Sequence, residues 1–103
     1  MAVLKLRILS PARLTDDVIG VLEGEPCVSG LALIEGAAIR PHGDLVLADL
    51  PREAVNDVVE RLRALGVHHE GTIEIKRVDT WLSSDGLKAE LTAPGSSADA
   101  VVW

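Results

Sequence analysis

The two halves of this chain correspond at an offset of 40 residues, and that constrains its fold more than any other feature of the sequence. Pro11 falls on Pro51, Asp17 on Asp57, Val18 on Val58, Ile19 on Val59, Leu22 on Leu62 and Leu33 on Ile73. Matches at one fixed spacing describe two equal supersecondary units, each too small to bury its own apolar face alone.

The hydrophobic period says what each unit is. Ala2 to Leu9 sets Leu4, Leu6 and Ile8 on one side and Lys5 and Arg7 on the other, the period of two of a half-buried strand. Leu14, Val18, Val21 and Leu22 then follow helical spacing. Thr15-Asp16-Asp17 offers a cap and two carboxylates for the positive N-terminal end, and Glu25-Pro26 stops the helix. Val28 to Ile34 and Gly43 to Leu47 read as the second and third strands, and Glu35 to Asp44 between them as part strand extension and part turn. Pro51 suits a first helical turn, Val55, Val58, Val59, Leu62 and Leu65 form one apolar stripe, and Gly66 fits a left-handed C-terminal cap. Thr72 to Val78 alternates most cleanly of all.

The order is β-α-β-β-α-β. It predicts an α+β, ferredoxin-like sandwich: a four-stranded antiparallel sheet with two helices on one face, since right-handed crossovers place both helices on the same side. At 103 residues there is room for one such domain, over 1–80. Residues 81–103 read as a C-terminal extension or linker. There Leu82, Leu87 and Leu91 fit a short helix and Pro94-Gly95-Ser96-Ser97 a turn, and the apolar end at Val101-Val102-Trp103 looks like a cut chain.

Composition removes functions rather than proposing one. Ten Lys and Arg against sixteen Asp and Glu give a net charge of −6, which opposes binding to nucleic acid or to an anionic membrane surface. Tyr and Phe are absent and Trp occurs twice, so no aromatic platform for stacking bases can be assembled. An RNA-binding module of this topology fails on both counts. The charged start is no signal peptide, no run is long enough to span a membrane, and the chain as it stands reads as soluble and cytosolic. Cys27, the single cysteine, reads as a small buried hydrophobe in a reducing compartment.

No constellation for chemistry emerges. The glycines fit neither phosphate-loop spacing, and Ser10, Ser29 and Ser83 lack a strand-turn-helix elbow. Asp16-Asp17 has a sufficient structural reason at a helix start and no paired base. His68-His69-Glu70 is the one cluster resembling a metal site, with His42 and Cys27 as distant candidates. It reads as a polar loop, because adjacent residues on a strand point to opposite sides. The expectation is therefore a non-enzyme with no catalytic residue, no cofactor and no metal.

The functional colour lies on the sheet face opposite the helices. If Leu33 and Ile73 point at the helices, Ile34 lies on the open face beside Lys5, Arg7, Glu74 and Lys76. Two registers remain for the third strand. One sets Leu45 and Leu47 outward with Ile34, making an interaction surface; the other turns them into the core. In the first, self-pairing would be two-fold and would bring Lys5 and Arg7 towards Glu74-type partners at the rim.

Three segments carry a resemblance: Leu6-Arg7-Ile8-Leu9-Ser10-Pro11, Gly36-Ala37-Ala38-Ile39-Arg40-Pro41-His42-Gly43-Asp44-Leu45-Val46-Leu47-Ala48-Asp49, and Ala93-Pro94-Gly95-Ser96-Ser97-Ala98-Asp99-Ala100-Val101-Val102-Trp103. The chain resembles, over nearly its whole length, the N-terminal soluble region of actinobacterial members of the "domain of unknown function 389" family, which are predicted integral membrane proteins. The resemblance implies a hydrophobic helical domain following Trp103, and it carries over no catalytic residue.

Two functional expectations follow. The first is a non-enzymatic regulatory or assembly domain on the cytoplasmic side of a membrane protein, whose partner is a second copy or the membrane part of its own chain. The alternative is an ACT-like sensor, which binds a small effector between paired subunits. In either case, protein purified without a polyhistidine tag should hold no stoichiometric zinc by elemental analysis. Zinc lost together with the fold on replacing His68 and His69 by Ala would overturn that expectation.

Overall fold

Leu4, Leu6 and Ile8 keep their alternation in the computed structural model, which describes residues 3–78. They lie on β1 (Val3–Ser10), followed by α1 (Ala12–Glu23), β2 (Gly30–Ala38), β3 (Gly43–Pro51), α2 (Arg52–Ala64), a single turn α3 (Val67–Glu70) and β4 (Thr72–Arg77). The strands form one antiparallel sheet in the order β2-β3-β1-β4, the ferredoxin-like arrangement. Moving β1 and α1 on by 40 residues lands on the first residues of β3 and α2. Both long helices also begin alike, with Pro11 at φ −60°, ψ 143° and Pro51 at φ −68°, ψ 152° as their N-caps.

One core joins sheet and helices. Leu6 and Ile8 from β1 and Val46, Ala48 and Leu50 from β3 meet Leu14, Val18 and Leu22 of α1 and Val55, Val58 and Leu62 of α2. Val18 and Val58, equivalent in the two halves, are both wholly buried. α2 also suits its own dipole, with Glu53 in its first turn and Arg61 and Arg63 in its last. It stops where Gly66 takes φ 81°, with the Gly66 N–H donating to the Arg63 carbonyl at 2.9 Å.

Several local expectations are corrected. Thr15 does not cap α1. The helix starts at Ala12, Thr15 is buried in its second turn, and no acidic residue stands in the first turn. Pro11 explains the earlier start, because its fixed φ and missing N–H open a helix without a side-chain cap. β2 starts later than expected, at Gly30, and takes in the expected extension as far as Ala38, while β3 runs further than the alternation suggested, to Pro51. His68 and His69 lie on the one-turn helix α3 rather than in a loop. Cys27 is exposed, not buried, since it falls in the turn after α1 where its N–H donates to Glu25 Oε1. The extension expected over 81–103, with Leu82, Leu87 and Leu91, lies outside the described residues.

Glycine is required at two close approaches. A Cβ on Gly43 would collide with the Ser10 carbonyl, and one on Gly71 with the Leu9 carbonyl, so the end of β1 is gripped from both sides. Val58→Asp should lower stability by about 3 kcal/mol or more, because it sets an unpaired carboxylate among buried aliphatics. Chemical denaturation measures it; an unchanged midpoint would mean that α2 does not turn this face to the sheet.

Candidate functional site

Side-chain parity carries the inward direction of Leu6 and Ile8 across the whole sheet. Leu6 lies opposite Ala48 and Ile8 opposite Val46, all four in the core. Arg7 opposite Leu47, and Leu9 opposite Leu45, therefore face away from the helices. On the far side of β3, Ile34 pairs with Leu45 and Ala32 with Leu47, which puts both on the same open face. The register is thus the one with Leu45 and Leu47 outward, and with Leu33 and Ile73 on the helix side opposite Val46 and Ile8. Leu9 belongs to the patch as well. It was legible from its parity with Lys5 and Arg7 but was not singled out.

The patch is less naked than three bare aliphatics. Leu9, Leu45 and Leu47 are half-buried by their neighbours, and Ile34 is exposed. Its charges are already matched within the chain. Lys5 Nζ stands 3.3 Å from Asp49 Oδ1, and Glu74 Oε1 lies 3.7 Å from both Arg7 Nη1 and Lys76 Nζ. These pairs are partly exposed and contribute little stability, but they hold two long side chains flat along the rim.

Three of the five large exposed aliphatics of the described residues lie on β2, the others being Ile39 in the turn after it and Ile75 on β4. Leu31 and Leu33 point to the helix side, yet 37% and 40% of their surface is open, and Ile34 shows 49%. The cause is position: β2 is an edge strand, and the two long helices lie mainly over β1 and β3, with α1 reaching β2.

A polar cluster lies where β1 meets α1. The Thr15 hydroxyl donates to Asp44 Oδ2 at 2.6 Å, and the Gly36 N–H donates to Asp44 Oδ1 at 2.8 Å. Thr15 Oγ1 also lies 3.3 Å from Ser10 Oγ. One carboxylate thus ties the start of β3 to α1 and to the end of β2. The Thr15 bond, then the Gly36 bond and the charge of His42 hold the Asp44 carboxyl below its ordinary 3.8. A carboxylate with both oxygens engaged and its proton affinity lowered is a poor general base, so the cluster reads as a clamp.

The histidines form no metal centre in the described residues. The His68 and His69 rings lie 3.9 Å apart at 37°, and no group of three or more His, Cys, Asp or Glu comes together among the described residues. Burial, then His69 and Arg63, push the His68 imidazole below its ordinary 6.5. Arg13 pairs with Glu70, tying α1 to α3.

No family model matches the chain, and neither does any curated protein. A solved structure does: the crystal structure of a DUF3240 family protein from Shewanella baltica OS155. It superposes with a TM-score of 0.65 over 81% of this chain and 97% of that one, at 15% identity. The likeness is one of fold.

Because the folded-state pKa of Asp44 is depressed, its stabilising contribution is complete above the ordinary value and is lost as pH falls through the folded value. Asp44→Asn should be less stable than the parent at neutral pH, and the gap should close as pH drops below 3.8. Urea midpoints across a pH series measure this; a gap that persists in acid would show that the carboxylate's charge is not what the clamp uses.

Proposed function

We propose that this chain is a non-enzymatic regulatory or assembly domain that works through the open face of its sheet, on the cytoplasmic side of a larger membrane protein. The observation behind this reading is the grouping of Leu9, Ile34, Leu45 and Leu47 on the face away from the helices, inside a rim of charges paired at home. A surface whose charges need no outside partner and whose centre is aliphatic gains most by losing water to another apolar surface. No helix of the described residues is long and apolar enough to cross a membrane. The membrane part is the one implied by the resemblance to the domain of unknown function 389 family. The face is covered by a second copy or by that part. Lys5 and Arg7 stand at the rim, paired within the chain to Asp49 and Glu74, and orient the contact from there.

Light scattering over a concentration series tests self-pairing through this face. Leu45→Lys together with Leu47→Lys should weaken association about tenfold or more while circular dichroism shows the fold intact. Equal masses for parent and variant at every concentration would remove self-pairing through the open face.

A further inference from the structure

We infer that the free edge of β2 docks a second copy of this chain, the two β2 strands pairing antiparallel about a two-fold axis at Ala32. The open-face reading is not needed for this contact.

The two edges of the sheet differ in kind. β4 spans six residues and exposes one large aliphatic, Ile75, set between Glu74 and Lys76 and followed by Arg77, charges of the sort that keep an edge from pairing with another chain. β2 spans nine residues and carries one charge, Glu35, and no proline. Leu31, Leu33 and Ile34 stand exposed along it, on both sides of the strand. Among the described residues it pairs with β3 alone. A long edge with aliphatics on both faces is a template for a neutral, strand-forming, aliphatic partner.

A second β2 meets that description, and charge selects how it lies. In a chain of net charge −6, parallel pairing would set the two Glu35 side chains next to each other. Antiparallel pairing about Ala32 places each Glu35 opposite Ser29 of the second copy. The two carboxylates are then about 20 Å apart along the strands, beyond a Debye length of roughly 8 Å. Gly30 to Ile34 is the stretch in unbroken register with β3, and Ala32 is its centre. The ladder breaks after Ile34, where Gly36 turns to φ 69° and its N–H is taken by Asp44. Pairing about Ala32 therefore uses the whole regular segment. It sets Leu31 against Leu33 of the second copy on the helix side and Ala32 against its own copy on the open side, continuing the sheet to eight strands. Pairing β2 to the charged β4 edge of another copy would instead be head-to-tail and open-ended. Val78, the last described residue, lies at the other edge, where its N–H donates to the Val3 carbonyl.

Opposed residues in antiparallel strands have Cα atoms about 4.5–5.5 Å apart, within disulfide range. Ala32→Cys in a Cys27→Ser background should therefore give a disulfide-linked dimer on mild oxidation, whereas Thr72→Cys on the β4 edge should not. Adding Leu31→Lys and Leu33→Lys should cut the cross-linking rate about tenfold or more, and Leu45→Lys with Leu47→Lys should leave it unchanged, which separates this contact from the open face. Ala32→Cys that stays monomeric at high concentration, or that cross-links no faster than Thr72→Cys, overturns the inference. If the lysine pair unfolds the protein, the comparison of Ala32→Cys with Thr72→Cys decides alone. Hydrogen exchange of the β2 amides should slow as concentration rises; protection independent of concentration would overturn the inference in favour of the chain's own residues 79–103 as the occupant.

Discussion

The ladder between β1 and β3 places every other element. It runs in register from Val3 opposite Pro51 to Ser10 opposite Asp44 and joins the first strand of each half at the centre of the sheet. A slip of β1 by one residue would turn Lys5 and Arg7 towards the helices and Leu6 and Ile8 towards the open side. Burying those charges without partners would cost several kcal/mol each, so the register is steeply specified. Gly43 and Gly71 close on the carbonyls at the end of β1, and the Asp44 clamp fastens α1 and β2 to the same corner. The ladder sets the faces, and the corner sets where the crossovers begin.

That ladder is also why the fold was legible from sequence. A period of two needs only local residues, and it was clear in β1 and β4 because both strands have one side of aliphatics and one of charges. The offset of 40 residues then supplied the topology, since equal units with short connections leave few ways to share a core. Legibility ended where tertiary contacts override local chemistry. Thr15 has the composition of a cap, but a carboxylate 29 residues away claims its hydroxyl. Cys27 has the preference of a buried residue, but a turn held by Glu25 leaves it outside.

The candidate surface was half legible for the same reason. Parity could link Ile34, Leu45 and Leu47 only once one register was fixed, and that depends on how β3 lies against β1, which no local window contains. The ion pairs of Lys5 with Asp49 and of Arg7 with Glu74 are cross-strand neighbours and became readable only with that register. The exposure of Leu31 and Leu33 is a further step removed. Their pattern is that of inward residues, and they do point to the helix side; at the edge of the sheet they are covered only in part.

The two halves agree where they share the core and part where they meet the outside. Val18 and Val58, Leu22 and Leu62, and Pro11 and Pro51 hold the same positions in the two units. β2 and β4 are likewise equivalent by connectivity, and each ends up at an edge of the sheet. Yet one reads Gly-Leu-Ala-Leu-Ile-Glu and the other Thr-Ile-Glu-Ile-Lys-Arg. The inward positions are alike, Leu31 and Leu33 on β2 and Ile73 and Ile75 on β4, so the difference lies on the open face, where Ala32 and Ile34 stand against Thr72, Glu74 and Lys76. Charge at such positions is what ordinarily keeps an edge from pairing with another chain, and β2 lacks it from Gly30 to Ile34. The aliphatic character of β2 is thus not explained by the fold of one copy. A second copy paired along that edge, as inferred above, would account for it.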